Sequence, residues 1–241
     1  MLQDIIDLHT HTEASGHASG TMDDVVQAAV QKGAKIIGIS DHAPAMAGSE
    51  FERFFQAGLS APRKCGAAKI LFGAELNILD YEGRVDLDEE ELELLDYAIA
   101  SLHVECIRPG TIQENTGALL NVMKHPKVLI IGHPDDGAFE VDFDQLAVRA
   151  AQKHVLIELN EASVMPHSYR KNARNNAVKM LSACRRHEAQ IIVSSDAHAP
   201  KNVMGHTYAL QMLEELHFPD ELVVNSSAVR LEEIMSLRKS K

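Results

Sequence analysis

The stretch DIIDLHTHTEASGH, residues 4–17, joins a short apolar run to three histidines within nine positions. The run up to His9 has the length and composition of a buried β-strand. His9 and His11 are two residues apart, and side chains at i and i+2 of an extended chain point to the same side. The segment therefore predicts a strand that carries a pair of metal-binding side chains at its carboxyl end.

Short apolar strands followed by helical stretches repeat along the whole chain. Predicted strands cover residues 4–9, 35–40, 69–76, 97–103, 127–133, 155–160 and 190–196, and 221–225 is a candidate for a last short strand. Predicted helices cover about 22–32, 49–64, 86–96, 111–125, 142–154, 172–187 and 205–216, and a C-terminal helix follows Ser226 or Ser227. This alternation indicates a parallel sheet covered on both faces.

Seven or eight such units favour a closed, TIM-barrel-like α/β barrel, formed by a single domain over residues 1–241. An open doubly wound sheet is the structural alternative. No Gly-rich GxGxxG turn follows the first predicted strand, which argues against a dinucleotide-binding fold.

Charge, apolar content and cysteine spacing exclude several classes of protein. The 241 residues carry a formal net charge of −12, which opposes binding of a long nucleic acid because phosphate contacts need clustered lysine and arginine. We expect no membrane span and no signal peptide, because no apolar run approaches about 18 residues and no basic segment precedes one. Cys65, Cys106 and Cys184 lack the spacing of a disulfide framework, so we expect reduced thiols and a cytoplasmic protein.

Ligand-type side chains stand at the carboxyl end of the predicted strands. In chain order they are His9 and His11, Asp41 and His42, Glu75, His103, His133, Asn160 and Glu161, and Asp196 and His198. The active site of an α/β barrel is built at that end from several strands, so we expect these residues to converge, with His17 folding back over them. A lone histidine is more often a surface or hydrogen-bonded residue, but the complete set favours a metal site.

For some of these residues, a structural role is the alternative to metal binding. Glu75 could instead be a buried carboxylate paired with an arginine, and Asp41 a helix cap or a hydrogen-bond partner of a ligand. Asp7 could orient a ligand imidazole. Five further histidines near helix ends or in loops are interpreted as surface residues, namely His125, His154, His187, His206 and His217.

These motifs, in this order, resemble the PHP (polymerase and histidinol phosphatase) domain family and, within it, the YcdX-type small phosphatases. The matching segments are DLHTHT (7–12), His17, SDH (40–42), GAELNI (73–78), SLH (101–103), GHP (132–134) and SSDAH (194–198). Ser40 stands where many relatives have threonine. The resemblance implies a distorted (β/α)7 barrel with three divalent metal ions, most often Zn²⁺ and sometimes Mn²⁺ or Fe²⁺.

The resemblance also implies a ligand set for each ion. The first ion would be held by His9, His11, Glu75 and Asp196, the second by the bridging Glu75 with His103 and His133, and the third by His17, His42 and His198.

Clustered cations suit phosphate esters, because they neutralise phosphoryl oxygens and lower the pKa of bound water. We therefore predict a metal-dependent hydrolase of small phosphomonoesters, in which a metal-bound hydroxide attacks phosphorus. Glu75, Asp196 and His198 are the residues predicted to be needed for catalysis. Arg170 and Lys171, in the segment HSYRK (167–171), are candidates for substrate contacts, and a solvated basic loop is the alternative.

Three other functions compete with this one. A PHP-type nuclease or phosphodiesterase would act on nucleotides or short oligonucleotides, since the acidic balance argues against longer ones. An amidohydrolase-type C–N hydrolase also uses His-x-His, but it typically needs a ligand lysine on a middle strand. A metal-binding or regulatory protein without catalysis is the third. The sequence does not indicate which oligomeric state the protein has.

Overall fold

Seven parallel strands form a sheet that curves into a nearly closed barrel, as predicted. The computed structural model describes residues 3–239, so both ends of the predicted domain 1–241 extend two residues beyond the described part. The strands are β1 (Ile6–Asp7), β2 (Ile36–Ile39), β3 (Lys64–Cys65), β4 (Ala68–Asn77), β5 (Tyr97–Ser101), β6 (Val128–Ile131), β7 (Leu156–Asn160) and β8 (Ile191–Ser194). Their order is β1-β2-β4-β5-β6-β7-β8, and the short β3 pairs antiparallel with the start of β4.

Helices cover the outside of the barrel, and several begin where the sequence supplies a cap. They are α1 (Met22–Gln31), α2 (Phe51–Ser60), α3 (Glu89–Leu94), α4 (Ile112–Val122), α5 (Phe143–Lys153), α6 (Glu161–Val164), α7 (Ala173–Arg186), α8 (Thr207–Glu215) and α9 (Ala228–Lys239). At the start of α1, Thr21 accepts a hydrogen bond from the Asp24 N–H, and the Asp24 carboxylate accepts one from the Thr21 N–H. Because two helix-end donors are satisfied reciprocally, the local sequence fixes this start.

The barrel closes irregularly between β1 and β8. Beyond the two strands, the backbone N–H of His11 donates to the carbonyl of Ala197 at 2.9 Å. Along the strands themselves, the buried side chain of Asn225 lies in the gap. It accepts from the Val193 N–H at 2.7 Å and donates to the carbonyls of Val193 and Ile6 at 2.8 and 2.9 Å. A side chain therefore makes the hydrogen bonds that a neighbouring strand makes elsewhere, and this distorts the barrel.

Apolar side chains fill the barrel interior, so the barrel has a packed core. Tyr97 lies inside it, and its hydroxyl donates to the carbonyl of Leu8 at 2.5 Å. Leu231 and Ile234 of α9 pack in the same cluster. Arg238 of α9 donates to carbonyl groups at the ends of α4 and α5. Since those helix ends lead into the amino-terminal ends of strands, α9 covers that end and leaves the carboxyl end open.

The structure corrects the predicted elements at a few places. Residues 221–225 are not a regular strand: two 3-10 turns, Asp220–Leu222 and Val224–Ser226, flank Val223, which forms an isolated parallel bridge with Ile191 of β8. The predicted helix 86–96 shortens to α3, because Asp88 is its cap and Asp86 binds Asn77 instead. The short elements β3 and α6 were not predicted.

The three cysteines are free thiols, as predicted. Cys184 is buried, and burial raises its pKa to about 12, so this thiol stays protonated at neutral pH. Within residues 3–239, no helix combines the length and apolar character needed to cross a membrane.

Candidate metal centre

The open end of the barrel brings all nine predicted ligand residues together. His9 and His11 follow β1, His17 lies in the next loop, His42 follows β2, Glu75 is on β4, His103 follows β5, His133 follows β6, and Asp196 and His198 follow β8. Glu75 is at the centre of the group, because its two carboxylate oxygens face five imidazoles. The arginine pairing considered for Glu75 is not among the contacts of the described residues.

The ligand atoms of His9, His11 and Asp196 all lie within 4.8 Å of one another, and Glu75 approaches the same two histidines. Glu75 Oε2 lies 3.3 Å from His9 Nε2 and 3.5 Å from His11 Nε2. Asp196 Oδ1 lies 3.6 and 3.2 Å from the same two nitrogens. Atoms that share one tetrahedral ion at about 2.0–2.2 Å are about 3.3–3.6 Å apart. The geometry therefore suits one cation at this position.

The remaining side chains form groups that overlap with the first. Glu75 Oε1 lies 3.2 Å from His103 Nε2 and 2.9 Å from His133 Nε2. On the outer side, the Nε2 atoms of His17 and His198 are 3.0 Å apart. His42 lies between these groups, with its Nδ1 2.8 Å from Glu75 Oε2. Its ligand atoms cluster both with Glu75 and His103 and with His11 and His198.

Hydrogen bonds at Nδ1 orient four of the imidazoles. The partners are Glu158 for His9 at 2.7 Å, Ser15 for His11 at 3.0 Å, Asn77 for His103 at 2.7 Å, and the backbone carbonyl of Asp196 for His198 at 2.9 Å. The Ser15 hydroxyl donates to Asp41 at 2.6 Å, so it accepts from His11. In each case Nδ1 carries the proton, which leaves the Nε2 lone pair available for a metal.

Several buried atoms of the group have no hydrogen-bond partner within the described residues. They are His9 Nε2, His11 Nε2, His42 Nδ1 and Glu75 Oε2. A buried polar atom without a partner is costly, so its presence requires an explanation. Imidazole nitrogen and carboxylate oxygen are the donors that zinc and related divalent ions take. These residues therefore fit a metal centre.

The electrostatics of the group favour a bound cation. Burial alone would raise the pKa of Glu75, but the surrounding histidines, His9 first, hold it well below its ordinary value. The pKa of Asp196 is also held well below its ordinary value, by His9 and Arg170 against the effect of burial. The pKa of His9 is well above its ordinary value, because Glu158 and other carboxylates outweigh burial. Both ligand carboxylates are therefore ionised, and they attract positive charge.

Sequence comparison identifies the family to which this geometry corresponds. The PHP domain matches residues 7–218, which is most of the chain. The chain belongs to the PHP family. A probable phosphatase of Caldicellulosiruptor saccharolyticus is 39% identical over 232 residues, covering 96% of both chains. A probable phosphatase of Clostridium botulinum is 38% identical, covering 96% of this chain and 94% of the relative.

Solved structures show that the PHP fold is shared. Histidinol phosphate phosphatase from Lactococcus lactis, in complex with zinc, L-histidinol and phosphate, matches with a TM-score of 0.59 at 16% identity. The match covers 90% of this chain and 95% of that one. A putative histidinol phosphatase from Listeria monocytogenes matches with a TM-score of 0.63 at 17% identity, covering 85% and 99%. At these identities the likeness concerns the barrel itself.

The loop after α6 brings Arg170 and Lys171 to the PHP site. Both line a cavity of about 640 Å³ that is also lined by seven of the nine predicted ligand residues, all except His9 and His11. The buried Arg170 guanidinium donates to Asp196 Oδ2 at 2.8 Å, Asn160 Oδ1 at 3.0 Å and Ser163 Oγ at 3.2 Å. Lys171 is exposed at the rim. Arg170 thus contacts a predicted ligand residue, Asp196, directly, which its sequence context had not indicated.

The residues that surround the PHP ligands differ in part from those predicted. Asp41 accepts hydrogen bonds from Thr12 and Ser15, and Ser15 contacts His11, so Asp41 is linked to a predicted ligand through Ser15 and is not its direct partner. The prediction that Asp7 orients a ligand imidazole is wrong, because its carboxylate binds backbone N–H groups and lies 3.5 Å from His206 Nε2. Glu158, which the sequence analysis missed, orients His9 instead. Glu158 is the charged residue of the buried strand β7 (Leu156–Asn160), and that was the available signal.

Three other strand-end and loop residues have structural roles near the PHP site. Asn160 donates to Asp196 Oδ2 at 3.1 Å and so helps to position this predicted ligand. Glu161 accepts the N–H groups of Tyr208 and Ala209 and thereby caps the start of α8. His206 is buried, contrary to its interpretation as a surface residue, because it binds Asp4 at 2.6 Å.

Proposed function

We propose that this chain hydrolyses phosphomonoesters at a centre of three divalent cations, with residues 1–241 serving as one PHP-type domain. The chain is a phosphatase: relatives 39% and 38% identical over nearly its full length carry that name. The observation that most strongly supports a metal centre is the set of buried nitrogen and oxygen atoms that face each other without other partners. We propose Zn²⁺ first, with Mn²⁺ and Fe²⁺ as alternatives, because the donors are imidazoles and carboxylates.

We assign the nine side chains to three ions as the family resemblance implies. The first group is His9, His11, Glu75 and Asp196, the second is Glu75, His103 and His133, and the third is His17, His42 and His198. The spacing of 3.2–3.6 Å within the first group supports its assignment most directly. The 2.8 Å contact of His42 with Glu75 places this residue close to the first two groups as well.

The chemistry of the reaction follows from these groups. Divalent cations bound there would neutralise phosphoryl oxygens and lower the pKa of a water molecule. Glu75 and Asp196 supply the negative charge that retains the cations, and both are almost inaccessible to solvent. His17 and His198 lie on the open side, where a substrate enters. These roles make Glu75, Asp196 and His198 the residues on which catalysis depends.

The cavity has a size that supports small phosphomonoesters as substrates. Its volume is about 640 Å³, which accommodates a phosphoryl group and a small organic part. A guanidinium has five N–H donors, and three hydrogen bonds connect Arg170 to protein atoms, so donors remain that can face a substrate. Lys171 at the rim adds a flexible positive charge. We therefore propose Arg170 and Lys171 as substrate contacts.

The experiment that tests this function measures phosphate release and metal content together. Protein stripped with a chelator and protein reloaded with zinc or manganese are assayed on phosphomonoesters that include histidinol phosphate and nucleotides. We expect turnover only after reloading. His103→Ala should lower kcat/KM by at least about 100-fold and reduce the bound metal.

His187→Ala is the matched control, because His187 binds Asp144 on the outer surface. It should leave both quantities within twofold of the wild type. Full activity of the stripped protein would refute a metal-dependent reaction. Reloaded protein that releases no phosphate from any ester would refute the phosphatase itself.

A further inference from the structure

We propose that Glu158 is a positioning residue of the metal centre, which fixes the tautomer of His9 and holds the ligand-bearing ends of β6 and β8. The inference rests on the proposed metal centre. Glu158 Oε1 lies 2.7 Å from His9 Nδ1. Glu158 Oε2 accepts the backbone N–H of His133 at 2.7 Å and the side-chain amide of Asn160 at 2.9 Å. One carboxylate on β7 therefore contacts two proposed ligand residues from two other strands.

The contact with His9 determines which ring nitrogen is available for a metal. A carboxylate only accepts hydrogen bonds, so His9 Nδ1 carries the proton and donates a hydrogen bond to Glu158. His9 Nε2 then has a free lone pair, and this atom faces Glu75 and Asp196. A negative charge behind the imidazole also increases the basicity of Nε2 toward a cation.

The contacts at Oε2 support two strained ligand residues. His133 has a φ of 27° and Asp196 a φ of 52°, both in the left-handed region that residues with a side chain rarely adopt. Glu158 binds the N–H of His133 directly. Asn160 donates to both Glu158 and Asp196, so it connects this carboxylate to the second strained residue. Strain of this kind persists where surrounding contacts enforce it, and here those contacts converge on Glu158.

The burial of Glu158 indicates that its charge has a specific use. Its side chain is completely inaccessible to solvent, and burying a carboxylate costs free energy unless it is compensated. Its hydrogen-bond partners are the ring of His9, a backbone N–H and an amide. The residue thus adds a negative charge directly behind a metal ligand.

The substitution Glu158→Gln tests this role, because it preserves the shape and removes one acceptor. All three partners of Glu158 donate hydrogen bonds, so the new NH₂ group must face a donor in either orientation. If it faces His9, the imidazole must carry its proton on Nε2 and cannot bind metal there. If it faces His133 and Asn160, two donors oppose it. Glu161→Gln is the matched control, since Glu161 also accepts two N–H groups but contacts no proposed ligand.

The measurement is Zn²⁺ affinity of the full chain in competition with a chromophoric chelator, with no substrate present. We expect Glu158→Gln to bind Zn²⁺ about 10–100-fold more weakly than the wild type and Glu161→Gln to stay within twofold. Nitrogen NMR of the histidine rings should show a changed proton position for His9 in Glu158→Gln alone. If Glu158→Gln does not fold, Glu158→Asp, which withdraws the carboxylate by one methylene, should show the same loss.

Unchanged affinity in a folded Glu158 variant, or an equal loss in Glu161→Gln, would overturn the assignment. Because no substrate is used, zinc binding by a wild-type protein that releases no phosphate would count against the proposed function and not against the role of Glu158. Wild-type protein that binds no Zn²⁺ would overturn both.

Discussion

Replacing Asn225 with alanine should open the seam of the barrel. The Asn225 side chain is completely buried and bonds to Val193 N–H, to the carbonyls of Val193 and Ile6, and to Asp4. These are the groups that connect β8 to β1. The alanine variant leaves the three backbone groups without partners in a dry environment.

The expected loss of stability follows from the number of those groups. Each buried backbone group without a partner costs about 1–3 kcal/mol, and partial relaxation favours the lower half of that range. Three groups therefore give about 3–6 kcal/mol of lost unfolding free energy. For a chain of this size, 1 kcal/mol corresponds to about 2–4 °C, so Tm should fall by about 6–24 °C.

Thermal unfolding followed by circular dichroism in the presence of a chelator measures this change without a contribution from metal. Asn121→Ala is the matched control, because the half-buried Asn121 donates one hydrogen bond to the carbonyl of Tyr81 and accepts one from the exposed side chain of Lys124. Its Tm should fall by no more than about 4 °C. If Asn225→Ala melts as the wild type does, or if Asn121→Ala falls equally, the seam is not held as described.

Two further substitutions test the buried network and the barrel interior. Burial would lower the pKa of His206, but Asp7 and Asp4 outweigh it and raise the pKa to about 10. Because the folded pKa is above the ordinary value of 6.5, the stabilisation is complete below about pH 6.5 and is lost as pH rises toward 10. The unfolding free energy of the wild type should therefore exceed that of His206→Asn most at pH 6, and a difference that is constant up to pH 10 would contradict this. Gly38→Ala would place a Cβ 2.1 Å from the Tyr97 hydroxyl oxygen. Urea denaturation should therefore show that the unfolding free energy falls by about 1–3 kcal/mol. Adding Tyr97→Phe removes that oxygen, so the effect of Gly38→Ala should be smaller in the double variant. An undiminished loss in the double variant would contradict the proposed clash.

The strands and the helix starts could be predicted because their signals are local. An apolar run such as 127–133 already contains β6 (Val128–Ile131), and Thr21 with Asp24 marks the start of α1 within four residues. The location of the candidate site could also be predicted, because it follows from the barrel fold. In a parallel barrel the carboxyl ends of all strands meet, so residues such as His9 and Asp196 converge although 187 positions separate them.

The contacts around the ligands could not be predicted, because they depend on which residues the closed barrel places face to face. Glu158 and His9 are 149 positions apart, and neither segment alone indicates the other. The Asp7 carboxylate precedes His9 by two residues, yet it faces away from the ring and toward residues 204–206. Sequence proximity to a ligand was therefore a poor guide to which carboxylate orients it.

The polar residues of β7 suggest that some strands supply ligands to the proposed metal centre and another strand positions them. β7 contributes none of the nine proposed ligands, yet its inward residues Glu158 and Asn160 contact His9, His133 and Asp196. Period-two alternation directs both side chains to the same side of the strand. Moving either carboxylate or amide by one residue would turn it to the helix-covered face, where no ligand lies. The register of β7 is therefore as important for the geometry of the proposed centre as the proposed ligands themselves, since its side chains contact three of them that are strained or depend on a tautomer.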